Sequence, residues 1–413
     1  FDPTSESANY IDTGGGPGGI ALDENNNRLY VLTRFDNQVE VIDLTSNATV
    51  QVHTLHNPEP QHVIDGRPIL YDANLTSGNG ETSCASCHIF ADLDHLAWNL
   101  GNPDGSETTN TQPQQVFIPT GNQTTFHPMK GPMTTQTLRG MATHGSQHWR
   151  GDKVDGFFGL DDCPGGDAPV NTNPAACSEE FGFLNFIEAF EGLLGKEGTI
   201  SVMEMETFRD FALDIMLPPN PHQPLDNTFS AGAANGPNLF FNGITDTVAT
   251  CEGCHRLDPS DGFFGTGGGK TFEGEPQQMK VAHMRNVYQK VGMFRQAGDQ
   301  VRGYGYLHDG SIDTVKNFLA LGPFSTSNSA ENQLEQYAME FPTDFAPVVG
   351  QQITLTASNA ATAGPRIDLL IQQAGTLYNS LMLGGNVAEC ELIVKGSIGS
   401  EKRGAVRLPS GQF

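Results

Sequence analysis

Two short stretches of the chain share one arrangement, and this repeat limits the fold and chemistry more than any other feature. They are SCASCH at residues 83–88 and TCEGCH at residues 250–255. Each stretch places two thiols three residues apart, with a histidine directly after the second thiol. Only seven cysteines occur in the 413 residues, so these two units hold four of them.

The pattern C-x-x-C-H is typical of a c-type haem attachment site. Two thiols at this spacing can form thioethers to the two vinyl groups of one macrocycle, and the adjacent histidine is then held beneath the iron as its axial ligand. A zinc site and a redox dithiol are the alternatives. A dithiol does not need the histidine, and zinc usually takes paired C-x-x-C elements at a shorter separation. We therefore expect two covalently bound haems c. The residues that hold them are Cys84, Cys87 and His88 for one and Cys251, Cys254 and His255 for the other.

The remaining cysteines bear on the compartment. Cys163 and Cys177 bracket a stretch rich in Gly, Pro and Asn, and a disulfide that closes this loop is plausible. Such a disulfide would indicate an oxidising compartment, so we expect a periplasmic or extracellular protein. Two unpaired thiols are the alternative, and Cys390 is left over in either case.

Charge and hydropathy exclude some partners. The formal net charge is −26, which disfavours nucleic acid and anionic membrane surfaces and suits a basic protein partner. Solubility in a saline or extracellular setting explains the charge equally simply. No apolar run approaches the roughly 20 residues that span a bilayer, so we expect no membrane span. The chain begins at Phe1, and we interpret it as a processed or truncated product.

The N-terminal region has the alternation of β-strands. Within residues 17–52, three runs (GIAL, RLYVLT and QVEVIDL) alternate apolar and polar residues and are separated by turn-rich segments. This pattern predicts an antiparallel meander that resembles one propeller blade. A lone blade leaves exposed sheet edges, so the N-terminal sheet is a candidate surface for self-assembly.

Beyond about residue 66 the sequence shows short helical segments divided by long loops. The two halves are similar: TLRG at 137–140 corresponds to HMRN at 283–286, and HWRGD at 148–152 to YLHDGS at 306–311. We infer a duplicated haem domain and a mainly α fold, with two c-type cytochrome domains in tandem and the small β segment in front. The predicted domains are a β-meander (1–65), an N-terminal haem domain (66–217), a C-terminal haem domain (218–385) and a β tail (386–413).

The second axial ligand of each iron decides between chemistry and electron transfer, because an open position permits reaction. Candidates after the first motif are His127, Met129 and Met133; candidates after the second are Met279, His283, Met284 and Met293. Filling of the core is the alternative role for any one methionine. His127 lies in a Gly- and Pro-rich loop, where a ligand can move on and off a metal more easily than on a helix.

Residues 66–325 resemble the bacterial di-haem cytochrome c peroxidase family, which includes the enzymes that mature the cofactor of methylamine dehydrogenase. The resemblance depends on the two C-x-x-C-H units, on KGPMTTQTLRG followed by HWRGD, and on MKVAHMRNV followed by YLHDGS. The N-terminal meander is similar to that of family members fused to a propeller. The resemblance implies that hydrogen peroxide is reduced at the N-terminal haem, while the C-terminal haem takes electrons from a small donor such as a monohaem cytochrome c.

The resemblance also assigns roles to single residues. Trp149 matches the tryptophan that family members place between the haems, with a core aromatic as the alternative. His127 falls near the histidine that leaves the peroxidatic iron on reduction. Cleavage of the O–O bond needs a base to move a proton, for which Glu188 and Glu191 are the candidates, although a solvated helix face explains both equally well.

The sequence departs from the family at the second iron. Many family members bind the second iron with a Met or Tyr shortly after the H-D-G motif. Residues 311–336 of this chain contain neither, so we predict that Met293 is the substitute ligand. Family members can also bind calcium between their domains, and loop oxygens near Thr134 and Lys280 are candidates for Ca²⁺.

Two classes of function remain open from the sequence. The first is a di-haem peroxidase or a relative that oxidises another substrate. The second is a non-enzymatic electron-transfer protein in which both irons have six ligands. Trp149 and the loop position of His127 favour the enzyme, whereas the lack of a clear acid–base residue and the partial propeller favour the carrier.

Overall fold

A computed structural model provides the fold of the chain. It describes residues 10–109, 125–143, 147–149, 179–246, 249–255, 281–291, 304–380, 383–408 and 410–413.

The secondary structure is mixed. Of the described residues, 30% are helical and 18% lie in strands, and these strands form several small antiparallel sheets. The prediction of a mainly α protein with two cytochrome domains in tandem is therefore wrong. Part of the difference arises where segments that we expected to be irregular loops pair as hairpins, because backbone groups that are not in a helix find partners in a neighbouring extended segment.

The chain divides into two compact units. The first contains Phe1–Leu93 and Phe183–Asp214, and the second contains Asp94–Gly182 and Ile215–Phe413. The domain boundaries that we derived from the sequence stay a prediction, because units defined by backbone contacts need not coincide with cofactor-binding domains.

The N-terminal part of the first unit is a four-stranded antiparallel sheet in the order β1-β2-β3-β4. Its strands are β1 (Pro17–Asp23), β2 (Arg28–Thr33), β3 (Gln38–Asp43) and β4 (Ala48–Thr54). The structure thus adds β4 to the three predicted runs. Each connecting turn contains an asparagine with φ of 53°, at Asn27, Asn37 and Asn47. Asparagine tolerates this left-handed conformation better than most residues, which explains its regular spacing here.

The rest of the first unit is helical. Its helices are α1 (Gln61–Tyr71), α2 (Ala73–Thr76), α3 (Glu179–Leu184), which begins ahead of the unit boundary, α4 (Ala189–Gly192) and α5 (Val202–Leu213). Helices α1 and α5 pack against each other. Gly66 allows this close approach, because an added Cβ atom would lie 2.6 Å from the carbonyl oxygen of Thr207 and against Phe211. The buried side chains of α5 include Met205 and Phe208.

The second unit combines short helices with two-stranded sheets. Its strands are β5 (Ala97–Gly101), β6 (Thr108–Thr109), β7 (Thr125–Phe126), β8 (Met129–Thr134), β9 (Tyr378–Asn379), β10 (Asn386–Val387), β11 (Ile393–Ile398) and β12 (Glu401–Val406). The pairs are β5 with β8, β6 with β7, β9 with β10 and β11 with β12. Its helices are α6 (Gly236–Asn242), α7 (Cys251–Cys254), α8 (Val315–Leu319), α9 (Asn328–Met339) and α10 (Ala360–Gln373).

Two hydrophobic clusters form much of the core of this second unit. The larger one contains Ala233, Phe240, Leu319, Leu334, Tyr337 and Phe341 and joins α6, α8 and α9. The smaller one contains Ala346, Val348 and Leu370, with Cys390 packed against it. Cys390 has a free thiol, and burial raises its pKa.

A buried ion pair links four segments of the second unit. Arg285 and Asp344 form a salt bridge in which both side chains are fully buried. Arg285 also donates to the carbonyl oxygen of Gly140 (2.8 Å) and to Thr143 Oγ1 (2.8 Å). The second carboxylate oxygen of Asp344 accepts a hydrogen bond from the backbone N–H of Leu217 (2.6 Å). TLRG and HMRN, which we interpreted as equivalent parts of two domains, thus contact each other within one unit.

Within the described residues, no helix is both long enough and apolar enough to cross a bilayer.

Candidate functional site

The first C-x-x-C-H motif lies in the first compact unit and forms a single tight turn. Cys84–Ser86 is a 3₁₀ helix that Ser83 and Ser86 cap reciprocally. The backbone N–H of His88 donates to the carbonyl oxygen of Cys84 (2.9 Å). The two residues are four apart in sequence, so this hydrogen bond closes the turn that holds both cysteines.

The surroundings of this first turn are apolar. Burial raises the pKa of the Cys84 thiol to about 11, which favours the protonated thiol over the thiolate. Ile89 and Phe90 follow directly and expose 43% and 75% of their side chains. Phe90 has a φ of 55°, a conformation that bulky residues rarely adopt. Exposed apolar side chains beside two cysteines and a histidine fit a large hydrophobic group such as a macrocycle.

The second motif lies in the second compact unit and forms a comparable turn. Thr250 caps α7 by accepting a hydrogen bond from the N–H of Gly253 (3.0 Å). The N–H of His255 donates to the carbonyl oxygen of Cys251 (2.8 Å). Both motifs therefore share the hydrogen bond that joins the histidine N–H to the carbonyl of the first cysteine.

The orientation of His255 is fixed by its second ring nitrogen. Its Nδ1 lies 2.7 Å from the carbonyl oxygen of Ala282. A carbonyl oxygen only accepts, so Nδ1 carries the proton and Nε2 has its lone pair exposed to a ligand. Burial lowers the pKa of His255 below its ordinary value and favours the neutral ring. A neutral imidazole held through Nδ1 by a backbone carbonyl is the usual arrangement of a metal-ligating histidine.

An aromatic wall borders Cys251. Cys251 and Met284 pack against the larger hydrophobic cluster, and the Sγ atom of Cys251 lies 3.1 Å from Thr245 Oγ1. Burial, together with the nearby Cys251, raises the pKa of Tyr337. Because aromatic and sulfur-containing side chains make favourable contacts with a flat conjugated ring, this wall fits a macrocycle attached at Cys251.

A third cluster in the second unit brings together motifs that are far apart in sequence. Trp149 is buried and packs against Met133, and its indole N–H donates to the carbonyl oxygen of Thr134 (2.6 Å). The N–H of Thr134 donates to the carbonyl oxygen of His308 (2.7 Å). His308 Nδ1 lies 2.7 Å from the carbonyl oxygen of Pro132. The H-D-G motif therefore fixes the strand on which Trp149 is anchored.

The other proposed site residues are divided between the two units. His127 is exposed, and its Nδ1 accepts a hydrogen bond from the N–H of Met129 (3.0 Å). His127 and Trp149 belong to the second unit, whereas Glu188 and Glu191 belong to the first. Glu188 ends a 3₁₀ helix, Glu191 lies in α4, and both are exposed.

Several predicted residues lie outside the described part of the chain. They are Met279, Met293, Lys280, Cys163 and Cys177, so the sixth ligand of the second iron and the disulfide stay predictions. Thr134, one of the two calcium candidates, is buried, and its carbonyl accepts the Trp149 indole N–H. Among the described residues there is no group of three or more His, Cys, Asp and Glu side chains that could hold a metal ion.

Sequence reasoning missed the partners that position the site. The carbonyl of Ala282 orients His255 from 27 residues away, and the Lys290 ammonium lies 5.1 Å from the centre of the Trp149 ring. Nothing in the residue types indicated either contact. His308 is only 2% exposed, and its position in YLHDGS was the one signal that could have identified it.

No protein-family model matches the sequence, and no curated protein matches it. Among solved structures, a chain of hydrazine synthase from Kuenenia stuttgartiensis, studied under xenon pressure, is similar at 14% identity with a TM-score of 0.42. The similar region covers 69% of this chain and 89% of that chain. A likeness at this level carries no argument about fold or function.

Proposed function

We propose that this chain is a di-haem c-type oxidoreductase that reduces hydrogen peroxide to water at the haem of the first motif. A small donor protein would supply the electrons, and Cys251, Cys254 and His255 would hold the haem that receives them. The observation that carries the haem assignment is the geometry of His255, whose Nδ1–H bond to Ala282 directs Nε2 away as a ligand. The function itself stands on the two motifs and on the resemblance to di-haem peroxidases.

The chain's own residues would divide the work of binding. Cys84, Cys87, Cys251 and Cys254 would attach the two macrocycles, and His88 and His255 would bind the irons from one face. A bound haem supplies an iron that changes oxidation state and accepts peroxide at an open position. The carbonyl of Ala282 holds the proton of His255 at Nδ1, and the aromatic wall around Tyr337 excludes water from one side of the group.

Four residues would take part in the reaction. His127 is exposed and its ring accepts a hydrogen bond from the neighbouring backbone N–H of Met129, a position from which a side chain can move onto or off an iron. Trp149 is held rigidly by Thr134 and Met133 and is suited to conducting electrons without moving. Glu188 and Glu191 are the carboxylates proposed to move the proton of bound peroxide.

The test is hydrogen peroxide consumption by the half-reduced protein, with a reduced small cytochrome c as the donor. Rapid turnover supports the peroxidase. His127→Gly should remove any need for pre-reduction, because the first iron would then be permanently open. Trp149→Phe should slow turnover while leaving both haem spectra unchanged. An unchanged six-coordinate spectrum in His127→Gly would show that another residue is the ligand.

A second candidate is a non-enzymatic electron-transfer protein in which both irons have six ligands. The exposure of Glu188 and Glu191 favours it, because a solvated carboxylate is poorly placed to act on a buried peroxide. No peroxide turnover, with both haems remaining low-spin, would support this candidate.

The setting that we propose is the bacterial periplasm or the cell exterior. Haem attachment through thioethers and the expected disulfide between Cys163 and Cys177 both suit an oxidising compartment. Self-assembly through the N-terminal sheet is a further proposal. Its edge strand β4 is exposed along its whole length, and unpaired edges are ready partners for another strand.

A further inference from the structure

Strands β11 and β12 form a hairpin near the C-terminus whose side chains lie at the surface. Its turn is Gly399-Ser400, with a φ of 64° at the glycine. Of the strand side chains whose burial is described, all but that of Ala405 are exposed. Within the described part of the chain, the two strands pack mainly against each other. Because a two-stranded hairpin is marginally stable alone in water, this one is suited to docking on another surface.

The pairing of the two strands sorts their side chains onto two faces. One face carries the apolar pair Ile393 and Val406 together with Lys395 and Lys402, and it carries no carboxylate. Ile393 and Val406 are 56% and 43% exposed. We call this the hairpin face; it is cationic toward the turn and apolar at the base of the hairpin.

The charge of this segment is opposite to that of the rest of the chain. Residues 391–413 contain four Lys and Arg against two Asp and Glu, whereas the other 390 residues contain 18 Lys and Arg against 46 Asp and Glu. The best electrostatic complement to the hairpin is therefore an acidic surface like those that this chain itself presents.

An apolar strip of matching character lies along strand β5 of the same unit. Leu96, Trp98 and Leu100 alternate in sequence, so they project to one face. They are 45%, 41% and 43% exposed. We call these three side chains the β5 strip.

The neighbours of the β5 strip are acidic. Asp94, Asp104 and Glu107 lie in residues 94–107, a segment without Lys or Arg. Asp94 is held in place by the indole N–H of Trp98, which donates to its carboxylate (3.0 Å). Asp104 and Glu107 are exposed. The β5 strip thus offers an apolar centre and an acidic rim, the counterpart of the hairpin face.

We propose that the hairpin face of one copy of this chain docks on the β5 strip of a second copy, and that the reciprocal contact closes a two-fold dimer. Within one chain, β11 pairs with β12 and β5 with β8. Both sheets have two strands in the described part of the chain, so each also offers a free edge for backbone pairing. The proposal goes beyond the proposed function, because the contact needs neither haem chemistry nor peroxide.

Charge selects this contact over the simplest alternative. Two hairpin faces would bring Lys395 and Lys402 against like charges, whereas the β5 strip brings them against carboxylates. Each copy has a formal net charge of −26, which opposes association at long range. At physiological ionic strength charges are screened beyond about 8 Å, so the contact pairs outweigh this repulsion.

The first test is the mass of the holoprotein in solution, measured by analytical ultracentrifugation over a range of concentrations. The wild type should have the mass of two chains at about 10 µM. Lys395→Glu with Lys402→Glu should raise the dissociation constant about a hundredfold, because each change acts at both contacts of the dimer. Asp104→Lys with Glu107→Lys should do the same. All four changes together should restore the dissociation constant to within about fivefold of the wild type, because the charges are then exchanged.

Two single variants are the controls. Arg366→Glu makes the same charge change as Lys402→Glu at another exposed site of the second unit, and it should leave the dissociation constant within about twofold of the wild type. Val52→Lys, on the exposed edge strand β4, tests assembly through the N-terminal sheet. A dimer that is lost in Val52→Lys but kept in the double hairpin variant would overturn the proposal.

Other results would also overturn it. One is a monomeric wild type, including a monomer that binds phosphatidylglycerol vesicles through the same lysines, which would assign the hairpin to a lipid surface. Another is further weakening, rather than recovery, when the hairpin and β5 charge reversals are combined. Circular dichroism of every variant should match that of the wild type, since all the changed side chains are exposed.

The second test locates the contact directly. The photo-crosslinking residue p-benzoylphenylalanine is placed at position 402 of a light-isotope chain, which is mixed with a heavy-isotope wild-type chain and irradiated. Mass spectrometry should find crosslinks from the light hairpin to residues 94–107 of the heavy chain. Crosslinks only within the light chain, or only to another region of the heavy chain, would refute the proposed contact.

Discussion

Asp344→Asn tests the buried ion pair that links four segments of the second unit. The substitution keeps the shape of the side chain but leaves the Arg285 charge without its counter-ion, and both side chains are fully buried. Two unit charges about 4 Å apart interact by about 4 kcal/mol at an effective dielectric constant of about 20. Removing one partner of a buried pair typically costs about 3–5 kcal/mol, because the remaining charge stays desolvated. We expect a loss of that size in the free energy of unfolding.

The assay is thermal and urea denaturation of the holoprotein. For a unit of this size each kcal/mol lowers the melting temperature by about 2 °C, so a decrease of about 6–10 °C is expected. Asp210→Asn is the matched control, because the Arg209–Asp210 pair has the same chemistry but the Asp210 side chain is 52% exposed. This control should change stability by less than about 1 kcal/mol. A similarly small loss in Asp344→Asn would refute the reasoning.

Two further predictions concern the first unit. Hydrogen bonds from Arg67, supported by Arg34, lower the pKa of Glu59 to about 2. The stabilisation from ionised Glu59 is complete above the ordinary pKa of 4.5 and is lost as the pH falls toward about 2. Glu59→Gln should therefore lower the free energy of unfolding by about 1–2 kcal/mol at pH 7 and should make that free energy depend less on pH in acid. An unchanged acid unfolding transition would contradict this prediction. Gly66→Ala should destabilise the protein by about 1–3 kcal/mol, because its Cβ would meet Phe211 and Thr207. Gly192→Ala, where nothing lies within 4 Å, is its control, and equal losses of stability in the two variants would count against the packing argument.

The parts of the site that depend on local sequence could be predicted. Each C-x-x-C-H turn closes through a hydrogen bond between the histidine N–H and the first cysteine carbonyl, four residues earlier. Short-range geometry of this kind depends on a few adjacent residues, so a motif is enough to identify it. Alternation of apolar residues likewise predicted the runs of β1, β2 and β3.

Contacts between distant segments could not be predicted in this way. The carbonyl of Ala282 that orients His255 and the Asp344 carboxylate that neutralises Arg285 come from residues whose types carry no specific signal. The similarity of TLRG to HMRN suggested two equivalent domains, yet Arg285 donates directly to Gly140. Sequence similarity between two segments does not distinguish equivalent positions in two domains from two halves of one contact.

Residues 181–216 do not form one continuous helix. The structure divides this segment into α3, a 3₁₀ turn, α4 and α5. Gly195 and Gly198 have φ values of 67° and 71° between α4 and α5. Left-handed glycines end a helix even where apolar residues continue the period.

The measurement that tests the central claim most directly is the intact mass of the protein, produced with a cytochrome c maturation system and denatured before analysis. Two covalently bound haems predict the polypeptide mass plus two haem groups. Cys251→Ala with Cys254→Ala should lose one haem, and Cys84→Ala with Cys87→Ala should lose the other. A wild-type mass equal to that of the polypeptide alone would contradict the assignment of both motifs.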